Sequence, residues 1–445
     1  MLINFSIQNF GSIKDKQTMS FEANKSKHLE DYYVINTNGL RLLKIGLIYG
    51  ANASGKTTIL NALDFLRTLV LNPKTQKTET FDFKPFKFDE ETPSQNTVFE
   101  IEFLQNDVRY YYEVELSTNA VVREELFAYN PRKSNVFSRT TDFENQTAKI
   151  KFGNKVKINE LGKLYFEQVT LWNNTVLSGF LKINFASKEL KDVIDWFSIY
   201  LNQVIYPDFH IRDFFNYGIN ITALEKHTVV DILRQADFNI SNFYFRDNDN
   251  FWEFIRKKYN MTKEDFDGVK KLGLFGTDDV FKTFGTVALP DIDFEHTVNG
   301  KKYLLDFDSE SLGTQRYYTF ACLLSKVLNN SILLSVDELE SSLHPDLFQH
   351  FLLSFLVNSK KSQILATTHN RELLSDRDIF RPDAIWITDK ANEDNATDLY
   401  SLADFGSSVV RKDTSSFYNA YKIGKLGGTP NLGDYYIDVE GYEEE

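Results

Sequence analysis

Cysteine is almost missing from this chain of 445 residues: Cys322 stands alone, which excludes an internal disulfide and any cysteine-ligated zinc site. Cys322 lies in an apolar helical run, where a buried small hydrophobe is expected. Positive charge is also in deficit. The net charge of −13 leaves no general basic footprint for the phosphate backbone of nucleic acids. No apolar run approaches the length of a membrane span. The opening MLINFSIQNF lacks the basic start and long apolar stretch of a secretory signal, so a soluble cytoplasmic protein is expected. Heptads are not sustained over several repeats, which argues against long coiled coils, and no fixed-period repeat is visible.

What is present is globular: apolar residues are 42% and aromatics 15%, including 39 Phe and 22 Tyr. Residues 1–22 alternate as strands around a turn at Gly11–Ser12, and residues 45–49 form a short apolar run of the kind buried on both faces. Thr57 to Leu71 has the spacing of an amphipathic helix. From Phe81 to Phe152 the period is two, and an antiparallel meander is expected. Helical spacing returns near residue 187, through Leu190, Val193, Ile194, Phe197 and Leu201, and again through Leu224, Val229, Ile232 and Leu233, with a third helix expected at 250–271. Strands resume at Phe294. A helix follows Gly313, then come a strand at 332–336, a helix at 346–357 and strands at 363–367 and 384–388. This alternation predicts an α/β core completed by distant parts of one chain. Residues 1–180 would carry its first part and the β meander, 181–290 an inserted compact helical subdomain, 291–400 the second part, and 401–445 a polar, glycine-rich tail.

Four motifs carry chemistry. Gly50-Ala-Asn52-Ala-Ser54-Gly55-Lys56-Thr57 is a complete GxxxxGKT between an apolar strand and a helix, the context a phosphate loop requires. Its glycines let backbone N–H groups curl around phosphates at a helix N-terminus. Lys56 would reach the β- and γ-phosphates and the Thr57 hydroxyl would coordinate Mg²⁺. Thr58 completes the set of candidate nucleotide-binding residues. The apolar strand Ile332 to Val336 ends in Asp337-Glu338: Asp337 to hold Mg²⁺, Glu338 to polarise an attacking water. His369 follows another apolar strand, 32 residues beyond Asp337, where it can sense a γ-phosphate. Ser311-Leu-Gly313-Thr opens a helix, where a Ser and a Gly can bind an anion or act as a plain N-cap.

In this order the motifs resemble the ABC ATPase superfamily, in which an ABC-type P-loop head binds ATP and Mg²⁺ and hydrolyses ATP. The resemblance implies that Ser311 and Gly313 belong to a signature that contacts the γ-phosphate bound by a second head, so that two heads close over two ATP molecules as a homodimer or within a higher homo-oligomer. Leu312 stands where that signature usually has glycine. Finer features are Ile7-Gln-Asn-Phe-Gly-Ser-Ile-Lys-Asp15, Glu310-Ser-Leu-Gly-Thr-Gln-Arg316, Asp337-Glu-Leu-Glu-Ser-Ser-Leu-His344-Pro345 and Thr368-His-Asn370. They look like the prokaryotic AAA-family ATPases of abortive-infection and phage-defence systems, a group that includes AbiL-type and RloA-type proteins, the PARIS ATPase and the ATPase half of OLD-family nucleases. Membership of that group implies a co-encoded effector protein, a nuclease of Toprim type, and a phage protein as trigger. His344, just after the catalytic carboxylate, would cap the next helix or meet the opposing head.

The interval of 255 residues from Lys56 to Ser311 is far longer than a transporter head carries, and it lacks the heptads of chromosome-maintenance ATPases. The alternative is an OLD-like or DNA-repair ATPase acting directly on nucleic acid. A self-contained nuclease would need a further acidic metal site, and the tempting pair beside His369, Asp376 and Asp378, is expected in a loop. Arg411 is expected in a surface loop, and Tyr421-x-x-Gly424-x-x-Gly427-x-x-Pro430 is a candidate docking element for a partner.

Overall fold

The computed structural model describes residues 1–207, 223–236, 239–245, 262, 292–341, 343–390, 393–405 and 417–430. Apart from Thr262, the helix expected at 250–271 lies outside them, as does Arg411.

Alternation in sequence becomes a sheet face in space. Along Val108–Leu116 every second side chain is buried, and strands of this kind assemble into a seven-stranded antiparallel sheet. Its order is Thr147–Phe152, Lys133–Asp142, Val121–Tyr129, Val108–Leu116, Thr97–Gln105, Leu2–Gln8 and Gln17–Ser20. The meander expected from Phe81 thus starts at Thr97. Phe81 and Phe83 instead pack edge-on against Phe65 of the helix Lys56–Leu71, with ring centroids 6.4 and 5.3 Å away.

Continuous apolar runs form the second sheet. Its order is Leu201–Ile205, Leu333–Val336, Gln363–Thr367, Ile45–Gly50, Ile385–Asp389 and Asp398–Ser401. The first five strands are parallel and the last pairs antiparallel. Ile45–Gly50, Leu333–Val336 and Gln363–Thr367 are buried along their whole length, as a sheet covered on both faces requires. Gln363 ties the two sheets together: its amide accepts from the Leu2 N–H at 2.7 Å and donates to the carbonyls of Leu2 and Leu43 at 3.1 and 2.9 Å.

The helical spacing after residue 187 produces the helix Lys188–Asp195 and one π turn, Trp196–Tyr200. The chain then straightens into Leu201–Ile205, an edge strand of the parallel sheet, where Val204 and Ile205 bury their β-branched side chains. Within the stretch expected to be helical, Ala223–Gln235 is a helix, but Ile240–Phe245 is a strand in a three-stranded sheet with Ile292–Val298 and Lys301–Asp306. The result is an α/β P-loop head with an antiparallel β subdomain. Among the described residues no helix is long and apolar enough to cross a membrane.

Candidate active site

Leu333–Val336, Gln363–Thr367 and Ile45–Gly50 are neighbouring parallel strands, so the residues that follow their carboxyl ends emerge side by side. In open α/β sheets this edge is where ligands bind. Strand order, not proximity along the chain, brings the phosphate loop, Asp337-Glu338 and His369 together.

The loop is shaped by what cannot fit beside it. A Cβ at Gly50 would lie 2.3 Å from the Thr388 hydroxyl oxygen and 2.4 Å from that of Ser54. Gly55 has φ 106 and a Cβ there would meet Thr397 Oγ1 at 2.2 Å, so this position needs glycine on both counts. Outside the loop, Thr388 Oγ1 pairs with Ser54 Oγ at 2.6 Å, and Thr397 Oγ1 donates to the Ser54 carbonyl at 2.8 Å. Lys56 Nζ folds back onto the carbonyls of Gly50 and Ala51 at 2.9 and 3.0 Å. Burial lowers the Lys56 pKa, while Asp337, Glu338 and Glu340 act in the opposite sense.

Thr57 Oγ1 donates to both Asp337 oxygens, at 3.1 and 3.0 Å. Asp337 is buried and also accepts from the Thr367 hydroxyl at 2.6 Å, while Thr367 Oγ1 accepts from the Glu338 N–H at 2.7 Å. One threonine thus orders both acids. The Asp337 N–H donates to the Ile205 carbonyl at 2.8 Å, so the edge strand sets the height of the carboxylate. Glu338 is left-handed, with φ 47, an uncommon conformation for glutamate. The His369 N–H donates to the Glu340 carboxylate. Burial and then Lys56 lower the His369 pKa, opposed by Glu340, Glu338 and Asp337.

A cleft of about 1150 Å³ is lined by Gly50, Asn52, Ser54, Glu338 and His369, with Lys56, Thr57 and Asp337 at the adjoining helix start and strand end. Thr58 points elsewhere, its hydroxyl 3.2 Å from that of Ser12. A hydroxyl and a carboxylate in contact are oxygen donors suited to a hard divalent cation, and the Lys56 ammonium, now donating to two backbone carbonyls, is a cation that can turn to anionic oxygens instead. The residues therefore fit Mg²⁺ and a phosphorylated ligand.

Ser311 and Gly313 are not among the residues lining the cleft. Ser311 caps the helix Leu312–Asn329, accepting from the Thr314 N–H at 3.1 Å, and Leu312 beside it is 76% exposed. His344 caps the helix Pro345–Asn358 by accepting from the Asp346 N–H at 3.3 Å. Asp376 accepts from the Asp378 N–H at 2.8 Å in a local turn, and among the described residues no group of three or more His, Cys, Asp or Glu side chains could hold a metal ion.

Sequence reasoning missed part of the cleft wall: Arg371, Asp389, Lys390, Asn395 and the glycine-rich tail from Tyr421 to Pro430. The tail's spacing was visible, but its place was not. It missed Thr367, Thr388 and Thr397 as well, because a lone threonine carries no sequence signal.

A family model described as "AAA domain, putative AbiEii toxin, Type IV TA system" matches residues 47–375. Among solved structures, the chain is similar to the SMC head domain from Thermotoga maritima, with 12% identity, a TM-score of 0.42, and 90% of this chain and 98% of that one covered. It is also similar to the Smc head domain with an extended coiled coil bound to the C-terminal domain of ScpA, derived from Pyrococcus furiosus. There the identity is 12%, the TM-score 0.37, and the coverage 96% of this chain and 98% of that one. No protein with a curated description matches. The family match runs from the strand before the phosphate loop past Asp337, Glu338 and His369, and covers well over half of the chain. The chain therefore belongs to this AAA-domain family.

Proposed function

We propose that the chain binds ATP with Mg²⁺, hydrolyses it at a composite site completed by a second copy, and uses that cycle to control a toxic effector in anti-phage defence. The supporting observation is the meeting of Lys56, Thr57, Asp337, Glu338 and His369 at three adjacent strand ends. Lys56 would exchange its two carbonyl partners for β- and γ-phosphate oxygens. Thr57 and Asp337 would hold the cation, whose charge neutralises phosphate oxygens when it is bound. Glu338 would take a proton from the attacking water. A neutral His369 would accept or donate one hydrogen bond at the γ-phosphate.

The reading within the family is an ATPase of abortive-infection type, with AbiL, RloA, PARIS and OLD ATPases as its models and a co-encoded Toprim-like nuclease as the effector. The motif set spanning Glu310–Arg316 and Asp337–Pro345 supports it. A direct nucleic-acid enzyme is the second reading; the net charge of −13 weighs against it.

The test is ATP turnover by the purified chain. Glu338→Gln is expected to bind ATP with turnover lowered by about 100-fold or more, whereas Lys56→Ala loses binding. Normal turnover by Glu338→Gln would remove that residue from its role.

A further inference from the structure

The tail segment Tyr421–Pro430 packs directly on the phosphate loop. The helix Phe417–Lys422 leads into three left-handed glycines, Gly424 (φ 75), Gly427 (φ 67) and Gly428 (φ 64), a run of turns that other residues adopt only with strain. Two of these glycines also sit where a side chain has no room. A Cβ at Gly427 would lie 2.2 Å from the Tyr400 hydroxyl and 2.5 Å from the Asp389 carboxylate. At Gly428 it would lie 2.7 Å from Ile387 Cγ2 and 3.3 Å from Gly50 Cα, the first glycine of the phosphate loop.

Tyr421 fastens this contact. Its hydroxyl donates to the Gly428 carbonyl at 2.8 Å, and its ring meets Tyr49 edge-on at 6.0 Å. Burial pushes the Tyr421 phenol up to about 12, so it remains a donor at neutral pH, while a backbone hydrogen bond from Gly50 acts in the opposite sense. Tyr400 holds the segment from the other side by donating to the Leu426 carbonyl at 2.9 Å. The guanidinium of Arg371, a cation lining the cleft, lies 5.7 Å from the centre of the Tyr421 ring.

We propose that Tyr421 and Gly428 are positioning residues of the nucleotide site: the Tyr421–Pro430 segment is the outer wall of the phosphate cleft and holds the Gly50 turn in its anion-receiving shape. The inference rests on the nucleotide-binding reading above. Backbone donors recognise phosphate only when held within about half an ångström of their working geometry, and Gly50 has no side chain of its own to brace it. The wall provides that brace through Gly428, and Tyr421 holds the wall.

The experiment titrates the full chain with a fluorescent ATP analogue and Mg²⁺, with thermal melting alongside. Gly39 is the control, because it is left-handed with φ 76 and open space around it, so Gly39→Ala carries the backbone strain without touching the cleft. Gly428→Ala is expected to weaken binding by about tenfold or more. Tyr421→Phe, losing one hydrogen bond, is expected to weaken it by about fivefold. Gly39→Ala lowers the melting temperature and leaves affinity unchanged. In ATP hydrolysis the loss falls on KM, with kcat changed by less than about threefold. If the wild-type chain does not bind the analogue, the nucleotide reading itself falls. If it binds and both cleft variants bind as tightly, or if their loss is confined to kcat, the positioning role is overturned. Should Gly428→Ala fail to fold, Tyr421→Phe decides alone.

Discussion

His369 stands between a cation and three carboxylates, and its burial tips the balance toward the neutral ring. Its folded pKa lies below the ordinary histidine value, so the stability tied to its neutral form is present above pH ~6.5 and lost as pH falls through the lower folded value. In the nucleotide-free chain the imidazole should titrate below 6.5 by NMR. Lys56→Ala, which removes the second cause, should move the midpoint up. A midpoint at or above the ordinary value would refute this balance. At this scale much was legible. Lys56, Thr57, Asp337, Glu338 and His369 announce themselves through local spacing, because each sits at a fixed offset from a strand end. Thr367 does not, since its role consists of bonds to residues about 30 positions away.

Among elements, the phosphate loop depends on the strand Ile385–Asp389, which delivers Thr388 to Ser54. That strand is anchored at its start by Arg381 and Asp383, whose side chains are 1% and 7% exposed. The guanidinium donates to both Asp383 oxygens, at 3.0 and 2.8 Å, and reaches the carbonyls of Ser26 and His28. Asp383 in turn accepts from the Asn24 N–H at 2.9 Å. Arg381→Ala strands a buried carboxylate and is expected to cost about 3–5 kcal/mol in urea unfolding. Arg381→Lys should recover little, because an ammonium cannot reproduce the bidentate fork. A loss under about 1 kcal/mol would mean that water or a rearranged loop satisfies Asp383. The helices and parallel strands of the head were readable from their periods. The edge strand Leu201–Ile205 was not: its apolar spacing continues that of the helix before it, and only the open edge beside Leu333–Val336 selects the extended form.

For the whole molecule, Ser311 and the exposed Leu312 lie at a helix start outside the cleft, which the composite-site proposal assigns to a second copy. With ATP, Glu338→Gln should associate into dimers by light scattering. Ser311→Arg in the same background should bind ATP and stay monomeric, at a capping cost of about 1 kcal/mol. An unchanged monomer of Glu338→Gln with ATP bound would sink the two-head proposal. The proposed external effector makes a separate demand: the purified chain should hydrolyse ATP yet cleave neither DNA nor RNA with Mg²⁺ or Mn²⁺. Cleavage abolished by changing Asp376 and Asp378, but not Lys56, would instead favour the self-contained nuclease.

The amino-acid sequence alone determined the phosphate loop, the acid-bearing strand and the α/β alternation, because those features are built from neighbours within one turn or one strand. Tertiary structure alone decided that Thr57 meets Asp337 from 280 residues away, that Thr388 and Thr397 brace the loop, and that the glycine-rich tail is a wall of the cleft rather than a free arm. The tail was visible as a glycine-rich segment and a candidate docking element. Which surface they approach depends on Gly50, Ile387 and Tyr400 lying side by side, a juxtaposition that exists only once the parallel sheet has formed.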